Sequence, residues 1–536
     1  MLRHSMSSLI KDDTPLETIE QFYKSKLSVT EQHFVDHVQV EKLRGFLNMY
    51  ASKPHTCGTS NDYETALRTA EQFKSFGLDT EIMTYYTLLS YPISRRLSLQ
   101  TSPTLFRELN LTEGSVFGDA CTTDQAGMPP FLAYSPSGNV TATVVYANYG
   151  RREDFEWLKA NNVSLERKIA LIRLGGNIFR GLKVMSSVEF QLAGVLLYSD
   201  PQDDGFVQGS VYPDGPWRPE DSFQRGSVYV ECGDPLTPGW ASIAGTKYLK
   251  YDDVQTIPHI PALPLSYGQA KLIFEKMGGQ QAPASWQGGL VMMKNYCIGD
   301  DEATIMNLDV KMNNTIGPIW NVIGTIHGSD APDELVILGN HRDAWVCGAV
   351  DPGSGSSALL ELARGFGMLL EQGWRPHLVE DNAEVLKKQA VAYVNVDTAV
   401  GEIISADGSP SISRLLMQAA KDIPANQFFG NETENNLFEQ WFLQSKSKVG
   451  VLGSSSDFAA FIEHLGVTSA NIRFKLSREH EYGAYHSSMD SIAYSEKFAD
   501  PNHSRIYNTL VGNGCTSTRG QCCDTNGLYV LCVDYE

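Results

Sequence analysis

His341 and Asp351 are the residues of this 536-residue chain whose types and setting point first to chemistry. His341 follows the apolar run Val336-Ile-Leu-Gly-Asn, which reads as a buried strand running into a turn. Asp351-Pro-Gly-Ser-Gly reads as a loop that becomes a helix, with good helix formers from Ala358 onward. Ligands of open α/β sheets bind at the carboxyl ends of the strands, so both residues fall on the rim where chemistry takes place. An imidazole beside a carboxylate suits a divalent cation such as zinc. Taken alone, the same pair also reads as a polar turn residue and a helix cap. Asp397 closes the strand-like Ala390-Val-Ala-Tyr-Val-Asn-Val, and His486 lies in the polar turn Tyr485-His-Ser-Ser-Met-Asp. Each has a bland reading as a turn or surface residue; the company of His341 and Asp351 moves both toward metal.

The elements that must position these residues follow from periodicity. Apolar residues three and four apart predict helices in much of 13–76, including Glu17-Thr-Ile-Glu-Gln-Phe, and Gly77 ends the last of them. The alternating Leu78 to Tyr86 predicts a strand, which opens an α/β domain. From about Leu89 to Asn314 glycine and proline become frequent. Strands are expected at Thr141–Ala147, Lys168–Leu174 and Ala193–Ser199, with a short helix over Val184–Leu192, in an inserted, mainly β domain. The α/β pattern resumes at Trp320–Ile326 and Glu334–Asn340, expected as adjacent strands, and a helix runs from about Pro352 to Glu371. A parallel sheet then requires a strand. Instead His377 to Lys388 reads as a second helix, and only afterwards does Ala390–Asp397 supply the strand. The expected division is 1–88, 89–314, 315–500 with an internal deletion near 376–378, and an irregular cysteine-rich tail, 501–536.

Composition bounds the function. A chain of this length exceeds one core. With 42% hydrophobic and 20% charged residues it is an ordinary globular protein. A net charge of -20 without a Lys/Arg cluster argues against nucleic acid as a partner. There is no apolar run of membrane-spanning length and no signal-like N-terminus. Yet Asn-x-Ser/Thr sequons begin at Asn110, Asn139, Asn162, Asn313, Asn431 and Asn502, which suits a secretory chain. Of the 9 cysteines, Cys57, Cys121, Cys232, Cys297 and Cys347 are scattered and suggest no framework, while the other four crowd into the tail in no zinc-module spacing.

Gly339-Asn-His-Arg-Asp-Ala-Trp, Asp351-Pro-Gly-Ser-Gly, Tyr393-Val-Asn-Val-Asp, Leu452-Gly-Ser-Ser-Ser-Asp-Phe and Tyr485-His-Ser occur in the order in which the glutamate carboxypeptidase II family carries such motifs. The chain resembles that family over about residues 35–500, including Phe179-Arg-Gly-Leu-Lys-Val and Gly233-Asp-Pro-Leu-Thr-Pro-Gly in the insert. The resemblance implies a zinc exopeptidase-like α/β fold, its mainly parallel sheet flanked by helices, interrupted by a protease-associated domain. It implies a zinc carboxypeptidase or dipeptidase acting on small peptides, and an extracellular or luminal type II membrane protein. His341 and Asp397 would ligate one zinc, His486 the other, and Asp351 would bridge them. Tyr485 would donate a hydrogen bond to the transition state. Arg180 would take the substrate's terminal carboxylate; Arg473 and Ser454 would line the substrate site. Asn471 stands where the family has a further patch arginine. Thr237, Trp240 and Glu380 would hold a structural calcium.

Two departures qualify these expectations. The family's strand ending in Asp-Ala-Glu-Glu, which supplies the general base and one zinc ligand, is absent after Gly373-Trp-Arg-Pro376. The helical C-terminal domain, with the family's dimer surface, is absent too, and so is the membrane anchor. The expectation is an impaired or inactive peptidase retaining one zinc or fewer. The alternative is a non-catalytic, transferrin receptor-like product with a binding role.

Overall fold

The computed structural model describes residues 29–533 except 103, 124–126, 291–294, 300–303, 328–334, 375–389, 402, 424–435, 446–447, 455, 476–481 and 502–527. Its strands in chain order are β1 (Asp79–Ser102), β2 (Leu105–Glu108), β3 (Leu132–Ala133), β4 (Gly138–Tyr146), β5 (Ile169–Arg173), β6 (Gly194–Tyr198), β7 (Gly226–Ser227), β8 (Ala262–Leu265), β9 (Ile305–Ile326), β10 (Leu335–His341), β11 (Ala390–Asn395), β12 (Ile403–Gly408), β13 (Ser469–Lys475) and β14 (Leu528–Val533). The fold is mixed α/β, with strands in the order β12-β13-β11-β10-β14-β9-β4-β5-β6-β8 and β1 against the other side of β9.

The ribbon of β1 and β9 is the spine. These two strands pair antiparallel from Asp79↔Thr325 to Leu99↔Met306. On its other edge, β9 carries β4 near Met306 and β14 near Val322. Each end therefore seeds a sheet with its own core. One core gathers residues such as Leu43, Phe73, Val336, Leu359, Phe366, Val394 and Phe474. The second gathers Val144, Ile169, Leu171, Leu196, Leu263, Phe274 and Leu308. β5, β6 and β8 are parallel neighbours and wholly buried. Strands covered on both faces read as continuous apolar runs rather than alternating ones, as Ile-Ala-Leu-Ile and Gly-Val-Leu-Leu-Tyr do here.

The helix Gly353–Glu371 starts where the loop after β10 returns to the sheet, and its first residues are all buried. Glycine is required at 355. A Cβ there would stand 1.9 Å from the Val396 carbonyl oxygen and 2.4 Å from that of Asp397. The helix thus sits against the backbone that carries Asp397. Asn340 clamps the other side: its Nδ2 donates to the Pro352 carbonyl (3.2 Å) and to Ser356 Oγ (3.1 Å), while Ser356 Oγ donates to the His341 carbonyl (2.8 Å). Arg342, next in sequence, is buried. Its guanidinium donates to Asp62 Oδ1 (2.6 Å), Thr65 Oγ1 (2.8 Å) and the Trp320 carbonyl (2.8 Å), joining the end of β10 to the helix Ser60–Ser75 and to β9.

Several expectations need correction. Trp320–Ile326 and Glu334–Asn340 do not form neighbouring strands, because β14 lies between β9 and β10. The tail, expected to be irregular, contributes that strand, parallel to β10 and antiparallel to β9. Cys121 and Cys347, two of the scattered cysteines, form a disulfide across 226 residues. Spacing alone carries no information about such a pairing. β1 begins at the expected place but runs on to Ser102, since its partner β9 is equally long. The helices expected at Glu17–Phe22 and His377–Lys388 lie outside the described residues.

Asp62 and Arg342 are both fully buried, so removing one partner strands a charge without water. Asp62→Ala is expected to cost about 3–5 kcal/mol of unfolding free energy, read from urea denaturation.

Candidate metal centre

Four sequence-predicted ligands converge at the rim. Nε2 of His341, the last residue of β10, lies 3.2 Å from Asp351 Oδ1 and 3.5 Å from Asp397 Oδ1. His341, Asp351 and Asp397 offer ligand atoms that all fall within 4.8 Å of one another. On the far side Asp351 Oδ2 lies 3.3 Å from His486 Nε2. The Asp351 carboxylate thus spans the space between two imidazoles, one oxygen to each.

The other ring nitrogens fix what these contacts mean. His341 Nδ1 faces the Asp343 carbonyl at 3.1 Å, and His486 Nδ1 faces the Arg225 carbonyl at 3.0 Å. A carbonyl only accepts, so each Nδ1 carries the proton and donates it. In a neutral ring Nε2 then presents a lone pair, aimed at carboxylate oxygens that also present lone pairs. Either the rings are protonated or a cation stands between the facing acceptors. Asp397 Oδ1 is a buried oxygen with no hydrogen-bond partner, which a cation would satisfy. Imidazoles fixed through Nδ1 beside carboxylates at one rim are donor types that suit zinc.

The electrostatics follow from burial and mutual contact. Burial works against charge on His341, but the neighbouring carboxylates of Asp397, Asp343 and Asp351 overcome it and hold its pKa well above the ordinary value. Burial alone would raise Asp351; the two histidines instead hold it far below the usual carboxylate range. His486 is lowered, by burial first and by nearby Arg180. Burial pushes Asp457, close to His341 and Asp397, up to about 7. Carboxylates gathered this closely at a largely buried rim favour positive charge beside them.

Residues that the sequence did not single out hold the ligands in place. Asp490 accepts from the amides of Val350 (2.7 Å) and Asp351 (3.1 Å) and from the Tyr482 hydroxyl (2.9 Å), which fixes the loop bearing Asp351. Ser456 Oγ donates to Asp397 Oδ2 (2.8 Å) and itself accepts from Asn395 Nδ2 (3.0 Å). Asp343 orients His341. All three lie inside quoted motifs, yet only the fold shows which polar residue of each motif faces the cluster. His486 adopts φ 56°, in the left-handed region that a non-glycine residue enters at a cost. Its backbone carbonyl accepts from the Arg225 amide (3.0 Å), so the inserted segment holds this ring in its conformation.

The remaining predicted residues divide. Tyr485 stacks on the His486 ring at 3.7 Å between centroids. Arg180 is also close, its guanidinium 3.5 Å from His486 Nδ1 and from Gln224 Oε1. Gly226 leaves room for it, since a Cβ there would stand 2.4 Å from the guanidinium carbon. Arg473 instead lies 3.8 Å from Asp407, and Asn471 is buried, accepting from Asn395 at 3.2 Å. Ser454 is exposed; the serine contacting the cluster is Ser456. Thr237 and Trp240 lie in a loop organised by Asp234, which accepts from the Thr237 (3.0 Å) and Ser242 (2.8 Å) hydroxyls. Glu380 lies outside the described residues.

Ser456→Ala removes the hydroxyl that donates to Asp397 Oδ2. Loss of such an outer-shell partner typically weakens a metal site about 10–100-fold. That loss of zinc affinity, with little change in Tm, is the expected result of a chelator-competition titration.

The sequence signature of peptidase family M28 matches residues 321–378. A probable glutamate carboxypeptidase of Arabidopsis thaliana is 35% identical over 485 residues, covering 86% of this chain and 68% of its own. An aminopeptidase of Rattus norvegicus is 30% identical over 523 residues, covering 87% of this chain and 69% of its own. The chain spans about two thirds of the length of these relatives. Among solved structures, an aminopeptidase from Aneurinibacillus sp. strain AM-1 superposes with a TM-score of 0.51 at 16% identity, covering 91% of this chain and 95% of its own. A zinc aminopeptidase from Bacillus subtilis gives the same TM-score of 0.51 and identity of 16%, covering 90% of this chain and 95% of its own. These two likenesses show a shared fold. With the rim cluster built on that fold and relatives of this identity along most of its length, the chain belongs to the glutamate carboxypeptidase II-like group of M28 peptidases.

Proposed function

We propose that this chain is a zinc-dependent carboxypeptidase or dipeptidase of small peptides whose turnover is impaired. The observation that carries the reading is the Asp351 carboxylate set between His341 and His486, each turned to it by a backbone carbonyl. Zinc bound there would polarise a peptide carbonyl and lower the pKa of water. The chain's own residues do the rest. Arg180, beside His486, is the guanidinium fork that would bind the peptide's terminal carboxylate, and this favours release of a C-terminal residue. Tyr485, stacked on His486, would donate a hydrogen bond to the carbonyl oxygen as charge develops on it. Arg473 and Ser454 would lie on the outer, substrate side.

Impairment follows from the general base. The family's strand ending in Asp-Ala-Glu-Glu is missing after Pro376; Glu380, Asp381 and Glu384 follow instead in a stretch that reads as the next helix rather than as that strand. Without a base to take the attacking proton and return it to the leaving amine, the rate falls by about 10²–10⁴-fold. The second reading, a non-catalytic relative with a binding role, rests on the same gap.

The core around β4–β6 and β8 is read as a protease-associated domain, with a structural calcium held by the carbonyls of Thr237 and Trp240. An extracellular or luminal setting is supported by the exposed side chains of Asn110, Asn139, Asn162 and Asn313 and by the Cys121–Cys347 disulfide. Among the described residues no helix is long and apolar enough to cross a membrane.

The test is zinc content plus hydrolysis of an N-acylated dipeptide by the full chain, with and without an Asp-Ala-Glu-Glu strand inserted after Pro376. The repaired chain is expected to turn over about 10²–10⁴-fold faster. His341→Ala should lose zinc in both. Equal turnover by repaired and parent chains contradicts impairment. Zinc without turnover in either supports the binding role.

A further inference from the structure

We propose that two buried ion pairs of the inserted segment, Arg225–Glu113 and Arg218–Asp204, are positioning groups of the centre. Each arginine holds one of two successive carbonyls, His486 and Tyr485, and so aims those two side chains at Asp351. The proposal rests on the zinc reading above and adds to it what fixes the His486 side.

Arg225 Nη2 lies 2.8 Å from Glu113 Oε2, and both side chains are buried. Its other donations go to main chain: Nε and Nη2 to the Met128 carbonyl (3.1 and 2.8 Å), and Nη1 to the His486 carbonyl (3.4 Å). The backbone of Arg225 closes the grip, its amide donating to that same carbonyl and its own carbonyl accepting from the His486 ring. Glu113 reaches past the arginine to the loop itself. Its Oε2 accepts from the Ser488 amide (3.2 Å), while Oε1 accepts from the Phe223 amide (3.1 Å). The pair therefore takes hold of the turn at 486 and again at 488.

Arg218 repeats the device one residue earlier. Its side chain is wholly buried, with Nε 2.5 Å from Asp204 Oδ2. Nη1 donates to Ser222 Oγ (2.9 Å) and Nη2 to the Tyr485 carbonyl (2.8 Å). The backbones also meet here. A Cβ at position 483 would stand 2.4 Å from the Arg218 amide nitrogen, so only glycine lets the loop pass.

Such a grip has a physical reason. His486 stands at φ 56°, a conformation that persists only where its surroundings over-determine it. Charged donors seated on carboxylates bind carbonyls more firmly than neutral ones do. His341 has a separate support, through Asp343 and Ser356. The two sides of the centre can thus be loosened independently.

The experiment uses the full chain with Arg225→Lys, Glu113→Gln and Arg218→Lys. Arg173→Lys is the control, because Arg173 is equally buried but pairs with Asp203 and the Gln287 carbonyl, away from this loop. Histidine ring 15N spectra of the metal-free chain, assigned with His486→Ala and His341→Ala, report which nitrogen carries the proton. In the parent, His486 should show the single form protonated at Nδ1. Arg225→Lys and Glu113→Gln should lose that single form with the His341 signals unchanged, and hold zinc on the His486 side about 10–100-fold more weakly against a competing chelator. Arg218→Lys should lose the ring-current shift that stacked Tyr485 imposes on His486. Arg173→Lys should lower Tm and leave all these signals in place. An unaltered His486 spectrum in both Arg225→Lys and Glu113→Gln, or the same loss in Arg173→Lys, would overturn the proposal. Zinc uptake that survives His341→Ala, or none in the parent, overturns the zinc reading instead, and the metal-free spectra still decide the positioning role.

Discussion

The centre depends on one constraint. Two imidazole Nε2 atoms are turned, by carbonyls behind them, toward largely buried carboxylates. Lone pairs facing lone pairs at 3.2–3.5 Å are repulsive unless positive charge comes between them. Protonating His341 answers this in part, and its raised pKa expresses that pull. For His486 burial first, and then Arg180, lower the pKa, against the pull of Asp351. A divalent cation satisfies both sides at once, and also the stranded Asp397 Oδ1.

Much of the rest of the structure serves to keep that arrangement from relaxing. Asn340, Ser356 and Gly355 lock the end of β10 to the start of the helix beneath it. Arg342 turns away from the cluster into its own buried pair with Asp62, so its charge anchors the loop rather than competing for the carboxylates. Asp490 grips two successive amides of the Asp351 loop. The inserted segment contributes as well: Arg225 holds His486 through both its amide and its carbonyl, and the Cys121–Cys347 disulfide ties that segment to the loop after His341. The site therefore belongs to both halves of the molecule, and the β1–β9 ribbon is the stiff connection that keeps them in register.

His341 and Asp397 close apolar runs, and strand ends of a parallel sheet gather at one rim, so local pattern places these two; Asp351 and His486 lie in loops and were legible through the motifs shared with the family. Ser456 and Asp490 were hidden because a serine among three serines, or an aspartate in a polar turn, has no periodic signature; only the approach of a second segment picks one out. The disulfide was invisible for the same reason, since two distant cysteines meet only through the fold. β14 is a different case. Its Leu-Tyr-Val-Leu-Cys-Val run is as strand-like as β10, but it lies in a stretch whose cysteines, glycines and missing periodicity read as irregular. The empty position in the sheet pattern was visible in the sequence; the strand in the tail was not read as one, and the order of the strands reveals it.

That order separates what a sheet needs from what a catalyst needs. The slot between β9 and β10 asks for backbone donors and acceptors on two edges and for side chains that tolerate burial. Pairing through main-chain atoms is nearly indifferent to sequence, so a segment from the far end of the chain can close the sheet. Catalysis is less forgiving, because a base must reach its proton within a hydrogen bond's length. In this chain β14 fills that slot and restores the continuity of the sheet. Strand pairing is therefore satisfied by any suitable backbone, and proton transfer only by a particular atom in a particular place.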